Sequence, residues 1–150
     1  MLRIQPTVVK GIIAHAKKEA PLEACGYLAE KDGIVIRNYE LTNMDASEVH
    51  YSMDPAEQFA AVRSMRAAGY SLCAAYHSHP RTPARPSAED VRLAYDADLS
   101  YVIISLLDYS MKSFKIKNGM FEKEEIEIVD NDHSGLYKER HKGLCLRENP

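Results

Sequence analysis

The chain has 150 residues, 45% of them hydrophobic, which fits one globular domain with a single core. Its formal net charge of -3 and isoelectric point near 6.1 give no electrostatic footprint for nucleic acid, and no apolar run approaches membrane-spanning length. Three cysteines without a framework spacing, and no signal-peptide core in residues 1–6, predict a reducing cytoplasm.

The first third of the chain predicts a helix followed by a hairpin. Thr7 caps the predicted helix, which runs to Ala20 with apolar residues recurring on one side. Strands near 24–30 and 34–41 flank a charged Asp-Gly turn at 31–33, which is a hairpin signal.

A second helix and a buried strand follow a polar stretch. Asp54 and Pro55 begin this helix, because Asp is a good cap and Pro is tolerated at the first helical position. The helix is expected to end near Ala68, before a glycine. Residues 70–76 form a short apolar run and predict a buried strand that leads into His77.

Two histidines stand two positions apart at the end of this strand. Side chains at such spacing point to the same face, so His77 and His79 can close on one metal ion while Ser78 faces away. Pro80 ends the strand, because it has no backbone donor. A His-x-His pair alone is a weak signal.

The segment after the histidines strengthens the prediction of a metal site. Pro80, Pro83 and Pro86 form a stiff connector that can return the chain to the metal. Ser87 is the N-cap of a third predicted helix, with Asp90 in its first turn. The apolar residues of this helix are Val91, Leu93, Ala94 and Ala97. Ser-x-x-Asp also fits a capping box, so a purely structural role for Ser87 and Asp90 remains the alternative.

Two imidazoles and a carboxylate leave a tetrahedral ion with a free fourth position, which is typical of catalytic zinc. Such an ion lowers the pKa of its water to about 7 and still needs a base. Glu23, at the junction of the first helix and first strand, is the candidate; a solvated surface position is the alternative. Cys25 is interpreted as a small buried hydrophobic residue.

The remaining elements complete an α/β domain. Residues 101–107 predict a buried strand, and a last hairpin of 111–117 and 120–129 turns at Asn118-Gly119. The predicted fold is a single domain with a mixed, mostly antiparallel sheet flanked by helices. The sequence does not give the strand order.

The motif closely resembles the JAMM (MPN+) metalloproteases of the small prokaryotic type. Its positions are filled by Glu23, His77, Ser78, His79, Pro80, Ser87 and Asp90. The segment Pro-Leu-Glu-Ala-Cys-Gly-Tyr-Leu at 21–28 is also similar to those proteins, and the resemblance covers roughly residues 2–107.

The resemblance implies a JAMM/MPN fold, which is cytidine-deaminase-like, and a Zn2+ cofactor. Carried over position by position, it makes His77, His79 and Asp90 the metal ligands. It makes Glu23 the general acid and base, and Ser87 the residue that helps to stabilise the oxyanion.

The implied reaction is zinc-dependent hydrolysis of an amide or isopeptide bond. The expected substrate is a conjugate of a ubiquitin-like sulfur carrier protein, cut at its C-terminal Gly-Gly. The tail is expected to pair with a strand edge near 49–51. Arg81 and Arg85 either meet acidic groups of the carrier or are merely solvated. The alternatives are a deubiquitinase-like isopeptidase on other ubiquitin-like conjugates and a zinc-bound, non-catalytic MPN scaffold.

The composition changes near residue 130. We expect a metalloprotease domain at 1–129 and a polar tail at 130–150, which is either solvated or loosely docked. A second metal site is conceivable in the tail, from His133, His141 and Cys145. Four further side chains are expected in the core, with groove lining as the alternative: Tyr51, Met53, Tyr76 and Tyr95.

Overall fold

The computed structural model describes residues 1–131 and 137–140. This part of the chain forms three helices and nine strands. In order they are β1 (Leu2–Ile4), α1 (Pro6–Glu19), β2 (Cys25–Lys31), β3 (Ile34–Leu41), α2 (Pro55–Ala67), β4 (Ser71–His79), α3 (Ala88–Arg92), β5 (Ser100–Ser105), β6 (Met111–Lys117), β7 (Met120–Glu124), β8 (Ile126–Asn131) and β9 (Tyr137–Arg140).

All nine described strands form one sheet in the order β7-β6-β5-β4-β2-β3-β1-β8-β9. Strand β1 is parallel to both of its neighbours, and β4 is parallel to β5. The other neighbouring pairs are antiparallel. The predicted α/β domain with a mixed, mostly antiparallel sheet is therefore confirmed.

The sheet curls strongly. A single residue, Glu125, joins β7 at one end of the strand order to β8 near the other end. One residue spans only about 3.5 Å, so the two ends must approach each other. The Glu125 carbonyl oxygen also accepts the Leu2 backbone N–H at 2.8 Å.

The core lies on both faces of the curled sheet. Apolar residues of α1 pack into the larger cluster, together with side chains from six of the strands. Helix α2 packs on the opposite face against β2 and β3, through Ala61 and Met65. Consecutive residues of β4 face opposite sides: Tyr76 belongs to the α1 side, whereas Ala75 lies on the other.

Both predicted hairpin turns are confirmed. Asp32 (φ 53°) and Gly33 (φ 79°) connect β2 to β3, and Asn118 (φ 53°) and Gly119 (φ 73°) connect β6 to β7. Left-handed backbone at both turn positions is the geometry that matches the twist of a two-residue hairpin.

The predicted cap of the first helix is wrong. Gln5 is the N-cap and Pro6 is the first helical residue, so Thr7 lies inside the helix. Proline fits that position because its missing N–H would be unpaired there in any case. For the second helix, Asp54 is the N-cap as predicted and accepts the Ala56 N–H.

The third helix is shorter than its apolar pattern predicts and ends at Arg92. Asp96 accepts the Asp98 N–H with its side chain, and both backbone groups of Asp96 bond the Tyr101 hydroxyl. These local bonds replace helical ones, since Asp competes with the helix for backbone donors.

The end of the described chain also differs from prediction. The second arm of the last hairpin is split at Glu125, and β8 pairs with β1, a short strand that the pattern did not predict. The domain boundary at 129/130 stays a prediction: β8 crosses it, and the backbone of β9 pairs with β8. His133, His141 and Cys145 lie outside the described residues.

No described helix combines the length and apolarity needed to cross a membrane.

Candidate active site

The two histidines lie at the end of the central strand β4. His77 and His79 are 2% and 6% exposed, and their Nε2 atoms lie 3.1 Å apart. This confirms that they share one face of the strand. Ser78 faces away and is fully buried; its Oγ accepts the Ala24 N–H at 2.8 Å.

The tautomer of His79 follows from its second nitrogen. Its Nδ1 lies 2.9 Å from the Pro83 carbonyl oxygen. A carbonyl only accepts, so Nδ1 must carry the proton, and Nε2 of the neutral ring keeps a free lone pair. The Pro83 carbonyl thereby fixes the orientation of the His79 ring and leaves its Nε2 lone pair available.

Asp90 reaches the same point from α3. Its Oδ2 lies 3.1 Å from the His77 Nε2 and 3.2 Å from the His79 Nε2. Burial disfavours the Asp90 carboxylate, but the adjacent His77 and His79 rings and the hydrogen bond from the Ser87 N–H hold its pKa well below the usual range. Asp90 is therefore ionised, as a metal ligand must be.

Ser87 and Asp90 also form a complete capping box. The Ser87 Oγ accepts the Asp90 N–H at 3.0 Å, and the Ser87 N–H donates to the Asp90 Oδ2 at 2.9 Å. The capping box that the sequence indicated is thus confirmed. It is compatible with the metal-site interpretation, because the same Asp90 Oδ2 also faces both histidine nitrogens. The exposed Ser87 hydroxyl can still donate its hydrogen.

Glu23 is not a surface residue. It is 1% exposed, and its Oε1 lies 3.9 Å from the His79 Nε2. Its Oε2 is buried without a hydrogen-bond partner among the described residues. Burial raises the pKa of Glu23 to about 8; nearby His79 opposes the shift, and Asp90 adds to it. A buried, unpaired carboxylate of this kind is unfavourable unless a cation or a reacting group accompanies it.

Burial and the Asp90 carboxylate act in opposite directions on the pKa of each histidine. Burial lowers the pKa of His77, against the opposing effect of Asp90. Burial also acts to lower the pKa of His79, but the contacts with Asp90 and the Pro83 carbonyl outweigh it, and the net shift is upward.

Two sets of ligand atoms could hold a metal, and both include the histidines. In one, Glu23 joins them, with all three atoms within 4.8 Å of one another. In the other, Asp90 joins them at 3.1 to 3.2 Å. Zinc with bonds of about 2.1 Å places tetrahedral ligands about 3.4 Å apart. The Asp90 set fits this better, and leaves Glu23 as a separate carboxyl group 3.9 Å from the His79 Nε2.

A cavity of about 380 Å³ adjoins Asp90. Its lining is mainly apolar and aromatic, and comes from the sheet, from the loop before α2 and from the segment after α3. The lining residues are Tyr27, His50, Tyr51, Ser52, Met53, Gln58, Ala75, Glu89, Asp90, Leu93, Ala94, Tyr95, Asp96, Leu99 and Tyr101. Tyr51 and Met53 line this cavity and also pack against the core cluster that contains Ala61 and Met65. Tyr95 lines the cavity but is exposed, so its expected core position is wrong, while Tyr76 is a core residue as expected.

Two contacts near the site gave no clear sequence signal. Tyr51 stacks on His77, with ring centroids 4.7 Å apart. Asn43 bonds the backbone of Glu23 from the loop at 42–54, which we call the Asn43 loop. The position of Asn43 in a polar stretch predicted a loop, but not a contact with Glu23. The cysteine expectation is confirmed, since Cys25 is fully buried.

Arg81 and Arg85 contact other side chains of the protein, and residues 49–51 do not form the expected strand edge. Arg81 lies 3.8 Å from Glu48, and Arg85 lies over the Phe121 ring at 5.7 Å from its centroid. Residues 49–51 belong to the Asn43 loop and form no strand. The strand edge predicted there for a substrate tail is therefore wrong.

A curled mixed sheet with two facing histidines, an aspartate on the following helix and a buried glutamate beside them defines a small metal-site domain of the JAMM/MPN class. The family described as prokaryotic homologs of the JAB domain matches residues 6–117. The chain belongs to this family.

Relatives and a solved structure agree with this assignment. The chain is 35% identical over 135 residues to the CysO-cysteine peptidase of Mycobacterium tuberculosis H37Rv, covering 87% of this chain and 92% of that protein. It is 38% identical over 82 residues to a probable TtuB-protein conjugate cleaving protease of Thermus thermophilus, covering 54% and 55%. The solution structure of protein DSY2949 from Desulfitobacterium hafniense has a TM-score of 0.82 and 45% identity, covering 89% of this chain and 97% of that one.

Proposed function

We propose that this protein is a zinc-dependent peptidase that cuts an amide bond at the C-terminal Gly-Gly of a ubiquitin-like sulfur carrier conjugate. The observation that carries the proposal is the convergence of the His77, His79 and Asp90 ligand atoms within 3.2 Å, next to the buried Glu23. The names of the mycobacterial and Thermus relatives support the substrate class.

In this proposal, His77, His79 and Asp90 hold the ion. When bound there, zinc lowers the pKa of an attacking water and polarises the scissile carbonyl. Glu23 takes a proton from that water and returns it to the leaving amine. Ser87 donates its hydroxyl hydrogen to the oxyanion.

We further propose that the cavity receives the acyl side of the substrate, which is the carrier tail. Glu23 lies near His79, and its proton goes to the leaving amine. The cavity instead borders Asp90 and Tyr51, and Tyr51 stacks on His77. The leaving group and the tail would thus occupy different sides of the site.

The cytoplasmic location remains a prediction from the sequence.

The test is zinc content together with cleavage of a carrier protein that bears one extra C-terminal residue. We expect one zinc per chain in both wild type and Glu23→Gln, with cleavage by the variant about 10²- to 10⁴-fold slower. Glu122→Gln is the matched control, because Glu122 is exposed on β7 and lies outside both the site and the cavity lining. Zinc without cleavage by wild type would favour the scaffold, and cleavage only of protein-protein conjugates would favour the isopeptidase alternative.

A further inference from the structure

The side chain of Glu23 is not held by its own hydrogen bonds. The Oε2 atom has no partner among the described residues, and the Oε1 atom lies 3.9 Å from the nearest histidine nitrogen, beyond hydrogen-bond distance. Its direction therefore depends on packing and on where its backbone is fixed.

The Asn43 loop fixes that backbone on both sides. The Glu23 N–H donates to the Ser47 carbonyl oxygen at 2.8 Å, and the Glu23 carbonyl oxygen accepts the Asn43 Nδ2 at 3.1 Å. The next residue is held differently, because Ala24 exchanges two hydrogen bonds with Ser78 of β4. The hydrogen bonds to β4 thus reach as far as Ala24, whereas the backbone of Glu23 is held by the Asn43 loop.

Asn43 is the centre of this loop. Its Nδ2 also donates to the carbonyl oxygens of His50 at 3.0 Å and Ser47 at 3.4 Å. Its Oδ1 accepts the backbone N–H groups of Asp45 at 3.1 Å and Ser52 at 3.4 Å. Carbonyls surround one end and N–H groups the other, so the amide orientation is fixed and requires a side chain that both donates and accepts.

We propose that Asn43 is a positioning residue for the reaction. It ties the Asn43 loop to the Glu23 backbone and so fixes the direction of the buried carboxylate. The same amide holds His50 and Ser52, which flank Tyr51, and therefore also supports the ring that stacks on His77. The effect of Asn43 on catalysis rests on the proposed function, whereas its role in holding the Glu23 backbone does not.

The first test is amide hydrogen exchange in metal-free protein, followed by NMR. In Asn43→Ala we expect the Glu23 amide to exchange at least about 10-fold faster, while the Ala24 amide keeps its rate because Ser78 still holds it. Asn43→Asp is the second variant: it keeps the acceptor for Asp45 and Ser52 but removes the donors, so it should show the same contrast.

The matched control is Ser47→Ala. The Ser47 Oγ accepts the Val49 and His50 N–H groups in the same loop, but only the Ser47 carbonyl, which the variant retains, contacts Glu23. Its Glu23 amide should exchange as in wild type. Equal acceleration in Ser47→Ala and Asn43→Ala would overturn the proposal, since it would indicate general loosening of the loop.

The second test is steady-state cleavage of the carrier substrate with zinc bound. Misdirection of the base predicts kcat lowered about 10- to 100-fold in Asn43→Ala and Asn43→Asp, with zinc content within twofold of wild type. KM should change by a smaller factor than kcat, since the same amide also holds His50 and Ser52 in the cavity lining. Unchanged kcat would overturn the positioning role. If wild type cleaves nothing, the proposed function fails, and the exchange contrast still decides whether Asn43 holds Glu23.

Discussion

At the scale of single residues, Asp90 combines two contacts that the sequence presented as alternatives. Its Oδ2 accepts the Ser87 N–H, which caps α3, and the same atom faces both histidine nitrogens. The cap therefore holds the carboxylate in place in the metal-free protein. In the proposed zinc site, a ligand fixed in this way would lose little conformational entropy on binding.

Asp90→Asn separates the two candidate ligand sets. The amide can still accept the Ser87 N–H, but it lacks the charge, so we expect zinc affinity to fall at least about 100-fold, measured by competition with a chromophoric chelator. Ser87→Ala is the control; it should cost about 1 kcal/mol of stability through the lost cap and retain zinc. Zinc binding by Asp90→Asn at wild-type affinity would instead indicate that Glu23 completes the ligand set.

His15 on α1 predicts a pH effect on stability. Its Nδ1 lies 2.8 Å from the Tyr76 hydroxyl, and burial lowers its pKa from 6.5, against the raising effects of Glu40 and Glu19. The unfolded chain therefore binds the proton more readily, and stability is lost as the pH falls below 6.5 towards the folded pKa. In His15→Asn we expect a shallower loss between pH 7.5 and 5.5, measured by urea unfolding of metal-free protein. Parallel curves for the two proteins would contradict this.

At the scale of elements, the antiparallel pairing of β2 with β4 assembles the site. Cys25 lies opposite His77, so the segment that precedes β2 is brought beside the end of β4. Glu23 and the histidines meet for this reason, although they are far apart in sequence. Gly26 pairs with Tyr76 in the same register, one step from His77.

Gly26→Ala should disturb this pairing. A Cβ there would overlap the Tyr39 carbonyl oxygen and lie 2.6 Å from ring carbons of Tyr76. We expect a loss of about 1–3 kcal/mol or more, measured by denaturant unfolding, with weaker zinc binding. Gly119→Ala is the control: it has open space around it, and only its positive φ opposes the substitution, by about 1–2 kcal/mol. A smaller loss in Gly26→Ala than in the control would contradict the steric argument.

At the scale of the whole molecule, the curled sheet leaves a cavity beside the site. Helix α2 and the Asn43 loop form one wall, and the segment after α3 forms another. Leu93 and Ala94, which follow the last helical residue Arg92, also line it. Mainly apolar concave surfaces with a few polar groups are typical of binding sites.

Ala94→Phe should partly fill this cavity. If the cavity holds the carrier tail, KM for the carrier substrate should rise about 10-fold or more, with zinc content unchanged and kcat less affected. Ala97→Phe is the matched control, because Ala97 is exposed and outside the cavity lining. Equal kinetics for the two variants would exclude the cavity as the tail site.

The sequence by itself determined the features that depend on neighbouring residues. Both Asp-Gly and Asn-Gly turns, the Asp54 cap and the shared face of His77 and His79 follow from local backbone geometry, which a few residues specify. The motif also indicated the JAMM resemblance.

Only the tertiary structure decided the rest. The meeting of Glu23 with the histidines, the pairing of β8 with β1, the Asn43 contacts and the cavity all depend on segments distant in the chain. Strand pairing order and loop docking are set by which buried surfaces fit together, and local patterns carry little information about that choice.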